Sequence, residues 1–302
     1  MDKTITIRSD TNQSTPGTLF YRDTGAGNPT LLLHGFAEDN TVWDNQVDTL
    51  SNTCRLILPD LPGSGRSSAF TPPFSALTPL SSTLTPSSSS LATPSSTLTT
   101  PVTIESMAAT IKELLDQLMI DKCTLIGHSM GGYITLAFAA LYPERLNAFG
   151  LFHSTAYPDT EEKRATRRKA IDFIRTNGSA PFIRQSTPNL FSPWTREHRP
   201  DLIETTIAKY SEFAPTSLIV YYEAMIARAD RTDVLRQFPR PVLFIVGRDD
   251  NVIPLQQSLE QCHLPAISRL HIVDNAGHQA MLEKPEKCTR LLQDFIKFIP
   301  RI

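Results

Sequence analysis

A handful of short stretches in this chain hold the side chains that hydrolytic chemistry requires. Gly127-His128-Ser129-Met130-Gly131 has the G-x-S-x-G pattern, with Gly132 directly after it. An apolar run precedes the pattern and a small-residue helical pattern follows, the context in which it marks a tight strand-to-helix turn. Bulky side chains two residues either side of Ser129 would clash in such a turn, and Gly127 and Gly131 avoid this. The hydroxyl is thereby lifted above a sheet edge, beside a helix N-terminus that favours negative charge. A serine hydroxyl is a poor nucleophile without a base. Asn275-Ala276-Gly277-His278 follows the last apolar run and places His278 on a loop at the same edge. The base needs a carboxylate to hold its tautomer. Gly247-Arg248-Asp249-Asp250-Asn251 offers two, Asp249 and Asp250, again just past an apolar run. A developing oxyanion needs N–H donors, and the backbone of Met130 and of Phe36, after His34-Gly35, can supply them. His153 ends a further apolar run and is a candidate to line the site, whereas His128 reads as a packing residue.

These residues converge only if the chain folds as alternating strands and helices. Residues 4–8 and 18–22 alternate apolar and polar side chains around turn residues, which predicts an antiparallel strand pair. Short apolar runs at 30–33, 56–58, 123–126, 147–152, 242–246 and 270–273 read as strands buried on both faces. Ile104, Met107, Ala108, Ile111, Leu114, Leu115 and Leu118 share one helix face, with Thr103 as N-cap. Residues 133–141 and 286–298 predict two more helices, the last opened by Pro285. The alternation implies an α/β fold, a mostly parallel central sheet with helices on both faces. Residues 155–237 break it: they hold helical patterns at 165–176, 202–213 and 217–228 and no convincing strand. They read as an inserted helical unit between two parts of a core, 1–154 and 238–302. Residues 67–101 are almost wholly Ser, Thr, Pro, Leu and Ala, carry no charge and show no period. They predict a flexible surface insertion without a buried face.

Composition narrows the partners. Among 302 residues, 29 are Lys or Arg and 31 Asp or Glu, for a net charge of -2. Such a balance gives no electrostatic reason to bind nucleic acid or an anionic membrane, and a small-molecule substrate fits better. Cys54, Cys123, Cys262 and Cys288 are scattered singly, without metal-ligand spacing. No apolar run is long enough to span a bilayer and the first residues lack the apolar core of a signal peptide, so the expected location is cytoplasmic.

The blocks LLLHGF at 31–36, DLPGSGRS at 60–67, GHSMGG at 127–132, GRDDNVIP at 247–254 and GHQAMLEKP at 277–285 resemble, in order, those of the α/β-hydrolase family. The resemblance covers the chain apart from the low-complexity tract, which swells a link that is normally short. It implies an α/β-hydrolase fold with residues 155–237 as a helical cap. Its acid position, three residues after the glycine and four before the proline, falls on Asp250. It also implies Phe36 and Met130 as oxyanion donors. Serine at position 129 speaks against relatives with an aspartate nucleophile, and residues 153–170 resemble esterase- and lactonase-like members.

The expected activity is therefore hydrolysis of an ester-type bond through an acyl-enzyme on Ser129, with His278 as base, Asp250 as its orienting acid, and no metal or organic cofactor. Phe182, Phe191, Trp194, Tyr221 and Tyr222 are candidates for pocket walls within the helical unit. The same residues also suit a C–C bond hydrolase or a cofactor-free peroxidase-like enzyme. A small-molecule sensor and an aminopeptidase are the readings from other classes. A sensor does not need the triad, and a peptidase needs an acidic anchor that the sequence does not place.

Overall fold

A computed structural model describes residues 1–7, 17–68 and 101–299. Most of the predicted low-complexity insertion, 69–100, lies outside the described residues. Eight strands form one sheet: β1 (Asp2–Ile7), β2 (Gly17–Thr24), β3 (Pro29–Leu33), β4 (Arg55–Pro59), β5 (Cys123–His128), β6 (Leu146–Phe152), β7 (Val242–Gly247) and β8 (Ser268–Val273). Their order is β1-β2-β4-β3-β5-β6-β7-β8. β1 and β4 each flank β2 antiparallel, and every later pairing is parallel.

The continuous apolar runs are explained by burial on both faces. Leu31 and Leu33 of β3, Leu125 of β5 and Phe149 and Leu151 of β6 face one core. Their neighbours Leu32, Ile126, Ala148 and Phe152 face the other, the period-2 alternation of a strand. The first core is closed by α2 (Ile104–Gln117) and α3 (Met130–Leu141); α1 (Asp44–Ser51) and α12 (Pro285–Phe298) close the second. Thr103 caps α2: its side chain accepts from Ser106 N–H while the Ser106 side chain accepts from Thr103 N–H.

Between β6 and β7 the chain is helical throughout: α4 (Glu161–Asn177), α5 (Ser179–Ser186), α6 (Pro193–His198), α7 (Pro200–Tyr210), α8 (Pro215–Ala227) and α9 (Thr232–Gln237). This segment lies over the loops at the C-terminal edge of the parallel strands. Tyr221 Oη donates to Pro62 O at 2.7 Å, Lys163 Nζ to Val252 O at 3.1 Å, and His278 N–H to Leu190 O at 2.7 Å. Two short helices, α10 (Leu255–Leu259) and α11 (Ala280–Glu283), follow β7.

Candidate active site

All the parallel strands end at one edge, and each chemically interesting residue lies on the loop just beyond a strand. Ser129 follows β5 directly, with φ 50° and ψ -115°, a conformation that costs a non-glycine residue of order 1–3 kcal/mol. The turn is over-determined by its neighbours. Ser129 N–H donates to Phe152 O at 2.9 Å, and Ser154 Oγ donates to Ser129 O at 2.8 Å. A Cβ on Gly127 would lie 2.1 Å from Gly131 O, and one on Gly131 would lie 2.6 Å from His34 O. Only glycine permits α3 to start so close to β5 and β3.

The structure brings Ser129, His278 and Asp250 into one chain of hydrogen bonds. His278 Nε2 lies 2.8 Å from Ser129 Oγ, and His278 Nδ1 lies 2.8 Å from Asp250 Oδ2. A proton on Nδ1 held by the carboxylate leaves Nε2 as the acceptor for the serine hydroxyl. Of the two sequence candidates, Asp250 makes this contact. Its Oδ1 accepts from Val252 N–H at 2.8 Å and Ile253 N–H at 2.9 Å. Burial alone would push the Asp250 carboxyl up, but His278 and His153 outweigh it and hold the group well below the usual carboxylate range. The other two sequence-predicted groups, the amide N–H of Phe36 and of Met130, make no hydrogen bond among the described residues. Phe36 lies on the loop after β3, and Met130 is the first residue of α3, next to Ser129.

His153, a sequence candidate to line the site, and two residues that the sequence did not point to, Glu38 and Glu283, complete the surroundings. His153 Nδ1 lies 2.9 Å from Asp250 Oδ2, so two imidazoles share one carboxylate oxygen. Burial, reinforced by the neighbouring His278 and His128, pulls His153 down to about 4, so it is neutral at pH 7. Glu38 accepts from Gly35 N–H, His128 and Gln279. Glu283 accepts from Gly277 N–H, Ser192 N–H and Thr195 Oγ1, stitching the His278 loop to the helical segment. The position of His153 at a strand end was the one signal available; buried glutamates carry none. One ring nitrogen each of His153 and His278 and an Asp250 oxygen also lie within 4.8 Å of one another. Their N···O contacts of 2.8 and 2.9 Å are hydrogen bonds between the groups themselves, closer than the roughly 3.3 Å that separates two donor atoms on one tetrahedral zinc.

Phe182 and Tyr222, from α5 and α8, meet Phe36: Tyr222 stacks on its ring at 4.3 Å and Phe182 meets it edge-on at 6.2 Å. Tyr221 approaches Phe36 at 6.3 Å. Phe191 and Trp194 do not join them. Phe191 packs with Ile203 and Ile207, and Trp194 stacks at the surface on His198.

Residues 28–285 match the family described as having the alpha/beta hydrolase fold. The chain is 28% identical over 288 residues to a 2-hydroxy-6-oxo-2,4-heptadienoate hydrolase of Pseudomonas putida, with 91% of each chain covered. Among solved structures it is similar to a thermophilic esterase from Thermogutta terrifontis, malate-bound, at TM-score 0.83 and 27% identity over 98% of this chain and 99% of that one. It shares its fold with an enol-lactonase from Burkholderia xenovorans at TM-score 0.77 and 23% identity, over 93% of this chain and 97% of that one.

Proposed function

Since the chain belongs to the alpha/beta hydrolase fold family, we propose that it hydrolyses an ester-type bond of a small molecule through an acyl-enzyme on Ser129. The observation that carries this reading is the Ser129–His278–Asp250 chain, with 2.8 Å at each link. His278 accepts the Ser129 proton as Oγ attacks the carbonyl. The N–H groups of Phe36 and Met130 hold the oxyanion of the tetrahedral intermediate. His278 then donates its proton to the leaving alcohol, and water repeats the sequence on the acyl-enzyme. Asp250 holds the His278 tautomer and stabilises the transient imidazolium. Residues 155–237 serve as a cap, with Phe182 and Tyr222 as the wall nearest Phe36. The likeness to the Thermogutta esterase supports the ester as substrate.

The likeness to the Pseudomonas hydrolase favours a second reading. That relative is named for a keto acid without an ester, whose hydrolysis breaks a C–C bond, and the same three residues could serve that chemistry here. A chain-length series of p-nitrophenyl esters, run beside 2-hydroxy-6-oxo-2,4-heptadienoate, separates the two. The proposal expects the best ester to give the higher kcat/KM, with Ser129→Ala abolishing it. Turnover of the keto acid with negligible turnover of every ester would replace the ester reading by the C–C reading.

A further inference from the structure

Beside the triad lies a second buried acid–imidazole pair, Glu38 and His128, 4% and 0% exposed. His128 Nε2 faces the carbonyl oxygen of His278 at 2.9 Å. A carbonyl can only accept, so Nε2 carries a proton. His128 Nδ1 faces Glu38 Oε2 at 2.9 Å. That oxygen also accepts from Gly35 N–H at 2.6 Å, and Oε1 accepts from Gln279 Nε2 at 2.7 Å. Two donors besides the ring, Gly35 N–H and Gln279 Nε2, favour the ionised form of the carboxyl, and a carboxylate oxygen can only accept, so Nδ1 is protonated as well. With both ring nitrogens facing acceptors, His128 is an imidazolium. The other charged or titratable groups around it are Asp250 and the rings of His278 at 5.0 Å and His153 at 6.1 Å. Trp43 and Phe152 meet it edge-on and exclude water.

The pair touches three parts of the site, the turn after β3, the Ser129 turn and the His278 loop. Glu38 holds the turn that aims Phe36 N–H, where Ala37 already has φ 58°. His128 is the residue before Ser129, and it grips the backbone of His278. Through Gln279 the carboxylate holds the His278 loop a second time. We propose that Glu38 and His128 are positioning residues, an ion pair that sets the oxyanion turn, the Ser129 turn and the His278 loop in mutual register, and that full turnover requires His128 to be charged. This rests on the roles assigned above to Ser129, His278 and Phe36. When His128 loses its Nδ1 proton, a bare lone pair confronts the Glu38 carboxylate. The contact to His278 O survives, but the Glu38 side opens and the Phe36 N–H leaves its aim. The loss falls on stabilisation of the transition state more than on substrate binding, so kcat drops and KM changes little. The direction of the titration agrees. Burial disfavours the cation, yet Glu38 outweighs it and raises His128 above its ordinary value, while burial of Glu38 is outweighed in turn and leaves it at about 2.

The test is the alkaline side of the kcat profile, measured on the wild type and on Glu38→Gln with a p-nitrophenyl ester. Gly35 N–H and His128 Nδ1 share Glu38 Oε2, so a glutamine carbonyl in that place still accepts from both, but it carries no charge to balance the ring, and His128 in the variant loses its proton at lower pH. Wild-type kcat should fall reversibly by about tenfold or more above neutral pH, with KM nearly constant, and Glu38→Gln should move that limb to lower pH. NMR of the histidine ring nitrogens should show His128 doubly protonated at pH 7 in the wild type. A wild-type kcat that stays level, a limb that Glu38→Gln leaves in place, or a neutral His128 at pH 7 overturns the proposal. Fluorophosphonate labelling of the same samples keeps the two levels apart. Absence of any label on Ser129 removes the serine mechanism itself, whereas normal labelling with a wild-type limb in Glu38→Gln removes only the role of the pair.

Discussion

At the scale of single residues, function depends on proton positions. Asp250 accepts four hydrogen bonds, from Val252, Ile253, His278 and His153, and so has no room for a proton of its own. Ser129→Ala should lower kcat by about 10⁴-fold or more. Asp250→Asn should cost about as much, because an amide presented to two imidazoles no longer selects the His278 tautomer. Steady-state kinetics on both variants check this, with thermal unfolding run in parallel to establish that they fold. The triad residues were legible in the sequence because each sits just past an apolar run, where strand geometry dictates its place. His153 was legible as a strand-end residue that could line the site, but its bond to Asp250 was not, and Glu38 in its bond to His128 was not legible at all. Nothing in the spacing of a buried Glu and a distant His announces that they meet. His128 read as a packing residue; it does pack against Trp43 and Phe152, and its two ring nitrogens are bonded as well.

At the scale of elements, the long and strongly patterned pieces were legible. The buried strands and the helices α2 and α12 follow from hydrophobic period alone. The helices α5, α6 and α9 were not, at 8, 6 and 6 residues. Segments that short complete barely two turns, and their helicity comes from tertiary contacts rather than from pattern. Two substitutions test what holds the elements in place. Thr103→Ala removes the α2 cap and should cost about 1 kcal/mol. Asp159→Ala should cost more, about 3–5 kcal/mol. Asp159 is fully buried between Arg167 at 2.6 Å and Arg228 at 2.9 Å, so its loss strands two guanidinium groups and loosens α4. Urea denaturation measures both, and equal effects of the two would contradict the assignment of Asp159 as the anchor of α4.

At the scale of the whole molecule, the buried histidines and carboxylates couple the site to stability. His153 has a folded value near 4, below its unfolded value of about 6.5. The unfolded chain therefore takes up a proton that the folded one refuses, and stability falls as pH drops from about 6.5 to about 4. Glu38, held at about 2, and Asp250, held lower than an ordinary carboxyl, extend the loss below about pH 4.5. His128 runs the other way. Its contribution is complete below about 6.5 and fades as pH rises through its raised folded value. The urea midpoint should thus decline steadily from about pH 6.5 to about pH 4, and a midpoint constant across that range would show that the buried network does not titrate as described. Among the described residues no helix is long and apolar enough to cross a membrane. The fold is expected to activate one hydroxyl out of all those in the chain. Intact-mass and peptide mass spectrometry after reaction with a fluorophosphonate measures this most directly. The account predicts one adduct per chain, on the peptide carrying Ser129, and none in Ser129→Ala. An unlabelled Ser129 in a preparation that turns over substrate, or an adduct that persists in Ser129→Ala, would contradict it.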